Sequence, residues 1–487
     1  MSMIRINDLS FSYPTGIEAV FEHVSFQIDS NWRLGLIGRN GRGKTTLLYL
    51  LAGKYPYQGT IQKSVSCAYF PYTIDSSGTT EEVIKSVAPD ALDWEIQIEL
   101  SHLDLKETLL TRSFLSLSNG ERSKVLLAGL FLKKEGFLLI DEPTNHLDQK
   151  GREVVADYLK KKKGFIVVSH DRSFLDACID HVLILNRQTI DVQNGNFSSW
   201  YTNFNRQQQY EKKEAERLKK DVRRLQQSFK QSQSWSDQTE ASKYGNGPVD
   251  RGFIGHKAAK MMKRAKTIET RKEKALKTKQ SLLKDYEETE QLRLSPLIHR
   301  NQQLVSFSDV VITYDQKAVH PPISFTITAG MRLALAGKNG SGKSSLLRLL
   351  IGEEIPYSGL IKRAPGLIIS YVGQDLSHLK GSLSSYAEAH HLNESLLKSM
   401  LRKLDFKRSL LSRNIEEFSD GQKKKVLLAA SLLMPAHLYV WDEPLNYIDV
   451  FSRMQIETLI LESKVSMIFV EHDQTFQQKI ATDIIRL

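Results

Sequence analysis

Two copies of one glycine-rich motif constrain the fold of this chain most strongly. Gly38–Thr46 has the sequence GRNGRGKTT and Gly337–Ser345 has the sequence GKNGSGKSS, and both match the pattern G-x-x-x-x-G-K-[ST]. Each copy follows an apolar segment that predicts a buried strand and precedes a leucine-rich segment that predicts a helix. Such a unit wraps backbone N–H groups around phosphates at a helix N-terminus. The sequence therefore predicts two phosphate-binding loops (P-loops) in an α/β fold.

Other motifs also occur twice, and the two copies of each are separated by nearly the same number of residues. The matched pairs are Tyr13 and Tyr314, Lys44 and Lys343, Ser118 and Ser419, Glu142 and Glu443, and His170 and His472. Their separations stay between 299 and 302 residues, which indicates tandem copies of one unit with few insertions. We expect a first module at 1–205, a linker at 206–295 and a second module at 296–487.

Two acidic residues follow an apolar segment in each module. Asp141 and Glu142 end one such segment, and Asp442 and Glu443 end the other. The first acid of each pair suits a metal ion held through water, and the second is placed to polarise an attacking water molecule. His170 and His472 each end a later predicted strand. A single histidine there is most often structural, but two at equivalent positions indicate a shared role.

The linker predicts two helical arms. Ala215, Leu218, Val222, Leu225 and Phe229 are spaced like the seam of a coiled coil, and a similar pattern resumes at Ala258. Each arm of about 30 residues would span roughly 45 Å at the rise of an α-helix. Glycine, asparagine and proline near 244–248 predict the turn between them. We expect an antiparallel hairpin with its tip near 242–255.

Positive charge is concentrated on this hairpin. The chain has 67 Lys and Arg against 56 Asp and Glu, and 206–279 alone holds 21 of the basic and 9 of the acidic residues. The rest of the chain is therefore close to neutral. A solvated coiled coil is the simpler interpretation of a charged helix, but such helices usually balance their signs. A polyanion such as nucleic acid explains the excess better.

Length and hydropathy set the remaining limits. A chain of 487 residues exceeds the size of one ordinary core, so two domains and a linker are expected. The longest apolar runs are shorter than the ~18 residues that a membrane span needs, and the N-terminal segment lacks an apolar signal region. We expect a cytoplasmic protein without a membrane domain of its own.

Short motifs carry a resemblance to a known family. LSNGE at Leu117–Glu121 and FSDGQ at Phe418–Gln422 resemble the signature sequence of ATP-binding-cassette (ABC) ATPases. DEPTNHLD at Asp141–Asp148 is similar to the corresponding motif of the soluble ABC-F subfamily. The resemblance covers nearly the whole chain. It implies two tandem ABC-type P-loop ATPase domains joined by a long antiparallel helical hairpin.

The resemblance also implies two ATP sites, each combining the P-loop of one module with the signature of the other. Glu142, Glu443, His170 and His472 would be catalytic, and Tyr13 and Tyr314 would stack on adenine. Mg²⁺ would be held by Thr45, Asp141, Ser344, Gln374 and Asp442. The ATP-binding residues would be Tyr13, Gly38, Asn40, Gly41, Gly43, Lys44, Thr45, Thr46, Ser118, Gly120, Tyr314, Gly337, Asn339, Gly340, Gly342, Lys343, Ser344, Ser345, Ser419 and Gly421.

Some positions depart from the family pattern. Tyr72 stands where the second module has Gln374, so the first site is expected to hold or sense Mg²⁺ differently. Asp420 places an acid in the second signature. The second copy of DEPTNHLD reads DEPLNYID, with Leu445, Tyr447 and Ile448. Since both glutamates remain, we expect two hydrolytic sites of unequal rate, although a neutral substitution is as good an explanation for Tyr447.

The family resemblance extends to a ribosomal partner. Proteins of this kind bind the 70S ribosome at the tRNA exit site, and the linker would reach 23S rRNA and the P-site tRNA. A long linker, no inserted arm in the first module and no C-terminal extension resemble the branch that protects ribosomes from lincosamides, streptogramin A and pleuromutilins. We expect a monomer, since one chain carries both halves of each site. The candidate RNA or ribosome contacts are Tyr244, Phe253, Ile254, Lys257, Lys260, Lys263 and Arg264.

Three other functions share part of this evidence. A housekeeping ABC-F translation factor that relieves stalled ribosomes has the same motifs and would give a growth phenotype without any drug. The ATPase subunit of a transporter would need a separate membrane subunit and leaves the hairpin charge unexplained. A DNA repair ATPase with a coiled-coil linker should prefer DNA in a binding assay.

Overall fold

The computed structural model describes most of both modules. Its described residues are 3–14, 19–72, 74, 78–133, 136–145, 147–186, 189–210, 294, 296–314, 317–404 and 406–487, with the single residues 213, 214, 216, 217, 220, 260, 263 and 267.

The protein divides into two compact units. Residues 199–289 form one unit, and Met1–Ser198 together with Glu290–Leu487 form the other. In the first of these units the chain is helical up to residue 210, and Lys260 and Lys263 are helical and exposed. The predicted turn of the hairpin and the candidate contacts Tyr244, Phe253, Ile254, Lys257 and Arg264 lie outside the described residues. The boundaries of the linker at 206 and 295 stay a prediction.

A six-stranded sheet forms the centre of the first module. Its strands are β3 (Arg33–Gly38), β5 (Cys67–Phe70), β6 (Phe137–Asp141), β7 (Phe165–Val168), β8 (His181–Leu185) and β9 (Ile190–Asn194). They lie in the order β5-β6-β7-β3-β8-β9, with every pair parallel except β8 and β9. The central strands are buried on both faces, as their continuous apolar sequences predict. Because β5, β6, β7, β3 and β8 run parallel, their carboxyl ends lie at the same edge of the sheet.

A second, antiparallel sheet covers the P-loop helix of this module. It consists of β1 (Met3–Phe11), β2 (Phe21–Asp29) and β4 (Gln58–Lys63) in the order β2-β1-β4. The alternating apolar residues of β1 and β2 pack on the leucines of the P-loop helix in one core. The helices of the module are α1 (Lys44–Leu51), α2 (Thr80–Val87), α3 (Asp93–His102), α4 (Asn119–Phe131), α5 (Gln149–Lys160) and α6 (Arg172–Cys178), with short 3₁₀ turns at Glu107–Leu109 and Phe114–Ser116.

The second module repeats this plan. Its parallel sheet has the order β15-β16-β17-β13-β18, and its antiparallel strands pair around β10. The strands are β10 (Gln303–Tyr314), β11 (Lys317–Ala318), β12 (Ile323–Thr328), β13 (Arg332–Ala336), β14 (Tyr357–Arg363), β15 (Ile369–Val372), β16 (Leu438–Asp442), β17 (Met467–Val470) and β18 (Asp483–Arg486).

The helices of the second module correspond to those of the first. They are α7 (Lys343–Ile351), α8 (Leu383–Ala389), α9 (Glu394–Lys403), α10 (Asp420–Leu433), α11 (Val450–Ser463) and α12 (Gln474–Ile480), with 3₁₀ turns at Arg408–Leu410 and Ile415–Glu417. Among the described residues, no helix is long and apolar enough to cross a membrane. The repeat predicted from the motif spacing is thus confirmed as two α/β modules.

Candidate active sites

Each P-loop connects a central strand to the helix that follows it. Gly43 and Gly342 directly precede α1 and α7 with φ of 91° and 87°, values in the left-handed region that glycine adopts without strain. Lys44 Nζ donates to Gly38 O at 2.7 Å, and Lys343 Nζ donates to Gly337 O at 2.9 Å. Burial lowers the pKa of both lysines. Both ammonium groups therefore lie over the loops in which phosphates are expected.

Two tyrosines lie beside the P-loop helices. Tyr13 Oη is 2.8 Å from Thr46 Oγ1, and Tyr314 Oη is 3.0 Å from Ser345 Oγ. The rings are 37% and 47% exposed, although Tyr13 also packs edge-on against Phe11. A tethered, partly exposed aromatic ring next to a P-loop is suited to stacking on a base.

The first acid of each pair lies within reach of the P-loop hydroxyl. Thr45 Oγ1 donates to Asp141 Oδ2 at 2.8 Å. In the second module Asp442 accepts hydrogen bonds from Ser344 and from Gln374, whose Nε2 lies 3.2 Å from Asp442 Oδ1. Burial raises the pKa of both aspartates. A hydroxyl paired with a buried carboxylate is the oxygen donor set that Mg²⁺ prefers.

The second acid of each pair faces a histidine. Glu142 Oε1 lies 3.2 Å from His170 Nε2, and Glu443 Oε1 lies 3.4 Å from His472 Nε2. Both glutamates have positive φ, 49° and 47°, a strained conformation for a residue with a Cβ and one that is concentrated at functional sites. The four residues that the family resemblance marks as catalytic thus form two pairs, one in each module.

The pKa values of the two glutamates are shifted in opposite directions. Burial, reinforced by the charge of Asp141, raises the pKa of Glu142 to about 8. Burial acts in the same direction on Glu443, but hydrogen bonds from His472 and Asn446 outweigh it and lower the pKa of this carboxyl. Burial, followed by the charge of Lys44, holds the pKa of His170 well below its usual value. The two sites are therefore electrostatically unequal.

The first site is a cavity of about 480 Å³ between the modules. One wall carries Asn40, Glu142 and His170 of the first module, and the other carries Ser419 and Gly421 of the second. Asn40 Nδ2 also donates across the gap to the backbone oxygen of Tyr447 at 2.8 Å. Asp420 and Tyr447, which depart from the family pattern, both line this cavity.

The second site has the reciprocal composition and a volume of about 820 Å³. Ser118 and Gly120 of the first module face Lys343, Ser344 and Glu443 of the second, so each cavity joins one P-loop to the other signature. Its wall also includes Tyr314, Asn339, Gly340, Gly342, Ser345 and Gln374. The predicted head-to-tail pairing agrees with this geometry.

Each signature serine begins a helix. Ser118 and Ser419 are the N-caps of α4 and α10, and both form capping boxes, with Glu121 and with Gln422. Reciprocal bonds of this kind satisfy two backbone N–H groups of the first turn. The hydroxyls and the first turns of both helices line the cavities, where the helix N-terminus favours an anion.

The structure shows what Tyr72 contacts, and the expectation that the first site holds or senses Mg²⁺ differently stays a prediction. The Tyr72 hydroxyl donates to Leu126 O in α4 at 2.9 Å, so its polar atom is bound to the backbone of that helix and does not replace the amide of Gln374. Sequence reasoning also missed a buried ion pair between the modules, formed by Arg172 and Glu457. No motif marks these two positions, since the residue that corresponds to Glu457 in the first module is Ala156.

These features together define a class: ATPases with two composite sites, in which each site takes its P-loop from one module and its signature from the other. The family model described as ABC transporter matches residues 21–145 and 321–446. The chain belongs to this family, and within it to the ABC-F subfamily; it is an ATPase whose two domains bind ATP.

Two bacterial relatives cover nearly the whole chain. The "Ribosome protection protein VmlR" of Bacillus subtilis is 28% identical over 479 residues, which are 96% of this chain and 84% of that protein. The "ATP-binding protein Uup" of Buchnera aphidicola is 30% identical over 515 residues, covering 98% of this chain and 79% of that protein.

A solved structure has the same fold. The archaeal ribosome recycling factor aABCE1, crystallised with a ribosomal stalk protein, matches with a TM-score of 0.67 and 18% identity. The match covers 98% of this chain and 87% of that one. At this identity the likeness concerns the fold alone.

Proposed function

We propose that this ATPase binds the 70S ribosome with its modules closed on ATP and protects it from antibiotics that act at the peptidyl-transferase centre. In this proposal the linker at 206–295 enters from the tRNA exit site and lies near 23S rRNA and the P-site tRNA. The protein would act as a monomer in the cytoplasm.

The distribution of charge carries the proposal. Between 206 and 279 there are 21 basic and 9 acidic residues, whereas the whole chain has 67 and 56. Two nearly neutral ATPase modules thus flank one strongly basic segment. Phosphate contacts supply most of the sequence-independent affinity for nucleic acid, so the linker is the part of the chain best suited to an RNA surface.

The relatives narrow the choice of polyanion. VmlR is described as a ribosome protection protein. VmlR matches along 96% of this chain, a span that includes most of the linker. This similarity favours the ribosome over DNA, and protection over a general role in translation.

ATP would hold the modules together because each site is built from both. Lys44 and Lys343 would bind phosphates from one side, and the signature helices of Ser118 and Ser419 would bind them from the other. The bond from Asn40 to the backbone of Tyr447 already spans the first site. Loss of the γ-phosphate would remove an anion shared by the two walls and thereby weaken closure.

Mg²⁺ fits the residues beside each P-loop. Thr45 and Asp141 would hold it in the first site, and Ser344, Asp442 and Gln374 in the second. When bound, the ion neutralises phosphate charge and orients the phosphates. Glu142 and Glu443 would then polarise the attacking water, and His170 and His472 would keep these carboxylates in place while contacting the γ-phosphate.

Co-sedimentation with 70S ribosomes tests the ribosome proposal. Glu142→Gln and Glu443→Gln together remove both candidate bases while preserving side-chain size, so ATP should remain bound and the modules closed. We expect this double variant to co-sediment with ATP, much less with ADP, and to dissociate as salt rises. Equal recovery with ATP, with ADP and without nucleotide would contradict ATP-dependent binding.

A translation assay then separates protection from a housekeeping role. Wild-type protein should restore synthesis by ribosomes inhibited with lincomycin or tiamulin. The Glu142→Gln/Glu443→Gln variant should not, because without ATP hydrolysis it stays bound to the ribosome. Binding to ribosomes without any change in drug sensitivity would support the alternative of a housekeeping translation factor.

A further inference from the structure

A different side chain donates a hydrogen bond to the aspartate expected beside Mg²⁺ in each module, Asp141 in the first and Asp442 in the second. In the second module Gln374 Nε2 donates to Asp442 Oδ1 at 3.2 Å. The corresponding residue of the first module is Tyr72, whose hydroxyl is bound to Leu126 O. The first module therefore lacks the amide donor, and another group has to satisfy Asp141.

Tyr69 supplies a hydrogen bond to that aspartate. Its hydroxyl donates to Asp141 Oδ2 at 3.1 Å, the oxygen that also accepts from Thr45 Oγ1 at 2.8 Å. Tyr69 lies on β5, which pairs in parallel with β6, the strand that ends at Asp141. The phenol thus reaches the carboxylate from the neighbouring strand of the same sheet.

The ring of Tyr69 is fixed by residues that the second module does not share. Its centroid lies 4.8 Å from that of Tyr49, and Lys54 Nζ lies 4.3 Å from the Tyr69 centroid and 4.5 Å from that of Tyr49. Contacts of a cation with aromatic faces are attractive. The corresponding residues of the second module are Arg348 and Glu353.

The equivalent tyrosine of the second module has another partner. Tyr371 corresponds to Tyr69, and its hydroxyl accepts a hydrogen bond from Arg348. The second module therefore has both an arginine to engage its tyrosine and a glutamine to engage its aspartate. The first module has neither, and there the tyrosine itself bonds to the aspartate.

We propose that Tyr69 is a positioning residue of the first ATP site, whose hydroxyl orients Asp141 as Gln374 orients Asp442 in the second. The inference rests on the proposed assignment of Asp141 to the Mg²⁺ side of that site. Partners that orient a metal-side ligand usually change metal affinity by about 10- to 100-fold when removed. The affinity of the first site for Mg²⁺ should accordingly depend on the Tyr69 hydroxyl.

A Mg²⁺ titration without ribosomes tests this inference. Tyr69→Phe is introduced into the Glu142→Gln/Glu443→Gln protein, and binding of a fluorescent ATP analogue is followed as Mg²⁺ increases. We expect the half-saturating Mg²⁺ concentration of one of the two binding phases to rise about 10-fold, with the other phase unchanged. Gln374→Ala should shift the opposite phase, which assigns each phase to a site.

Tyr72→Phe is the matched control, because it removes a phenol hydroxyl from the same segment but one that is bound to Leu126 O. It should leave both phases in place. The inference is overturned if Tyr69→Phe shifts neither phase, if Tyr72→Phe produces the same shift, or if Tyr69→Phe weakens binding equally in EDTA, which would indicate a purely structural effect. Ribosome co-sedimentation is measured separately, so its failure would contradict the proposed function and leave the metal result intact.

Discussion

Arg172 of the first module and Glu457 of the second form a two-point ion pair that is almost completely shielded from solvent. Arg172 Nη1 donates to Glu457 Oε2 at 3.1 Å, and Nη2 donates to Oε1. Arg172 also lies 3.6 Å from Asp473, which pairs with Arg453. The contact joins the two modules, and neither residue of the pair lines an ATP cavity.

Removing one partner of this pair should destabilise the protein strongly. Within the described part of the chain, Arg172→Met leaves the buried Glu457 with the 3.4 Å contact to Lys479 as its remaining ion pair, and breaking a buried pair costs about 3 kcal/mol or more. We expect a clear drop in the midpoint of chemical unfolding. The double variant Arg172→Met/Glu457→Met should recover much of the loss, because neither charge is then buried alone. Additive losses would contradict direct coupling.

Asp449 should make stability sensitive to acid. Burial tends to raise the pKa of this carboxyl, but Lys425, Lys44 and the Ser452 backbone outweigh it and lower the pKa to about 2 from an ordinary 3.8. Because the folded state binds the proton more weakly, the stabilisation of about 2 kcal/mol is fully present above pH 4 and is lost as pH falls from 3.8 towards 2.

The comparison with Asp449→Asn measures this effect. The difference in unfolding free energy between wild type and variant should be largest near pH 6 and shrink as the pH is lowered below 4. Asp148→Asn changes the corresponding, half-buried cap of α5 and controls for loss of a capping carboxylate. A difference that stays constant with pH would contradict the depressed pKa.

The ring of Tyr13 should matter more than its hydroxyl. Tyr13→Ala removes the aromatic face beside the first P-loop and should weaken ATP binding at that site about 10-fold, as expected for loss of one base–aromatic stack. Tyr13→Phe loses only the bond to Thr46 and should bind nearly as well as wild type. Equal losses in the two variants, measured by nucleotide titration, would assign the residue a structural role.

Basic residues of the linker should determine the salt dependence of ribosome binding. Lys260→Glu/Lys263→Glu changes two exposed helical positions and should lower the salt concentration that releases the protein, with the slope of log affinity against log salt reduced by about 1 per lysine. Lys161→Glu/Lys163→Glu makes the same charge change on the exposed surface of the first module and should have a smaller effect. Similar effects of the two pairs would argue against the linker as the RNA-binding segment.

The prediction of the two modules succeeded because their motifs are local. A strand, a glycine loop and a helix determine where Lys44 and Thr45 lie from adjacent sequence alone, and the constant offset between copies extends that geometry to Lys343 and Ser344. The sequence also placed Glu142 and His170 at the ends of predicted strands, and in the structure they meet because parallel strands share one edge at their carboxyl ends.

By itself the sequence determined the fold class and the residues of both phosphate-binding loops, and its resemblance to ABC ATPases implied their pairing with the opposite signatures. Only the tertiary structure decided which tyrosine of the first module contacts Asp141, because Tyr69 and Tyr72 are three positions apart and the packing of β5 against β6 and α4 sets their directions. The tertiary structure also decided that Arg172 pairs with Glu457. These residues are 285 positions apart and follow no motif, so their contact arises only when two complete modules are folded and packed together.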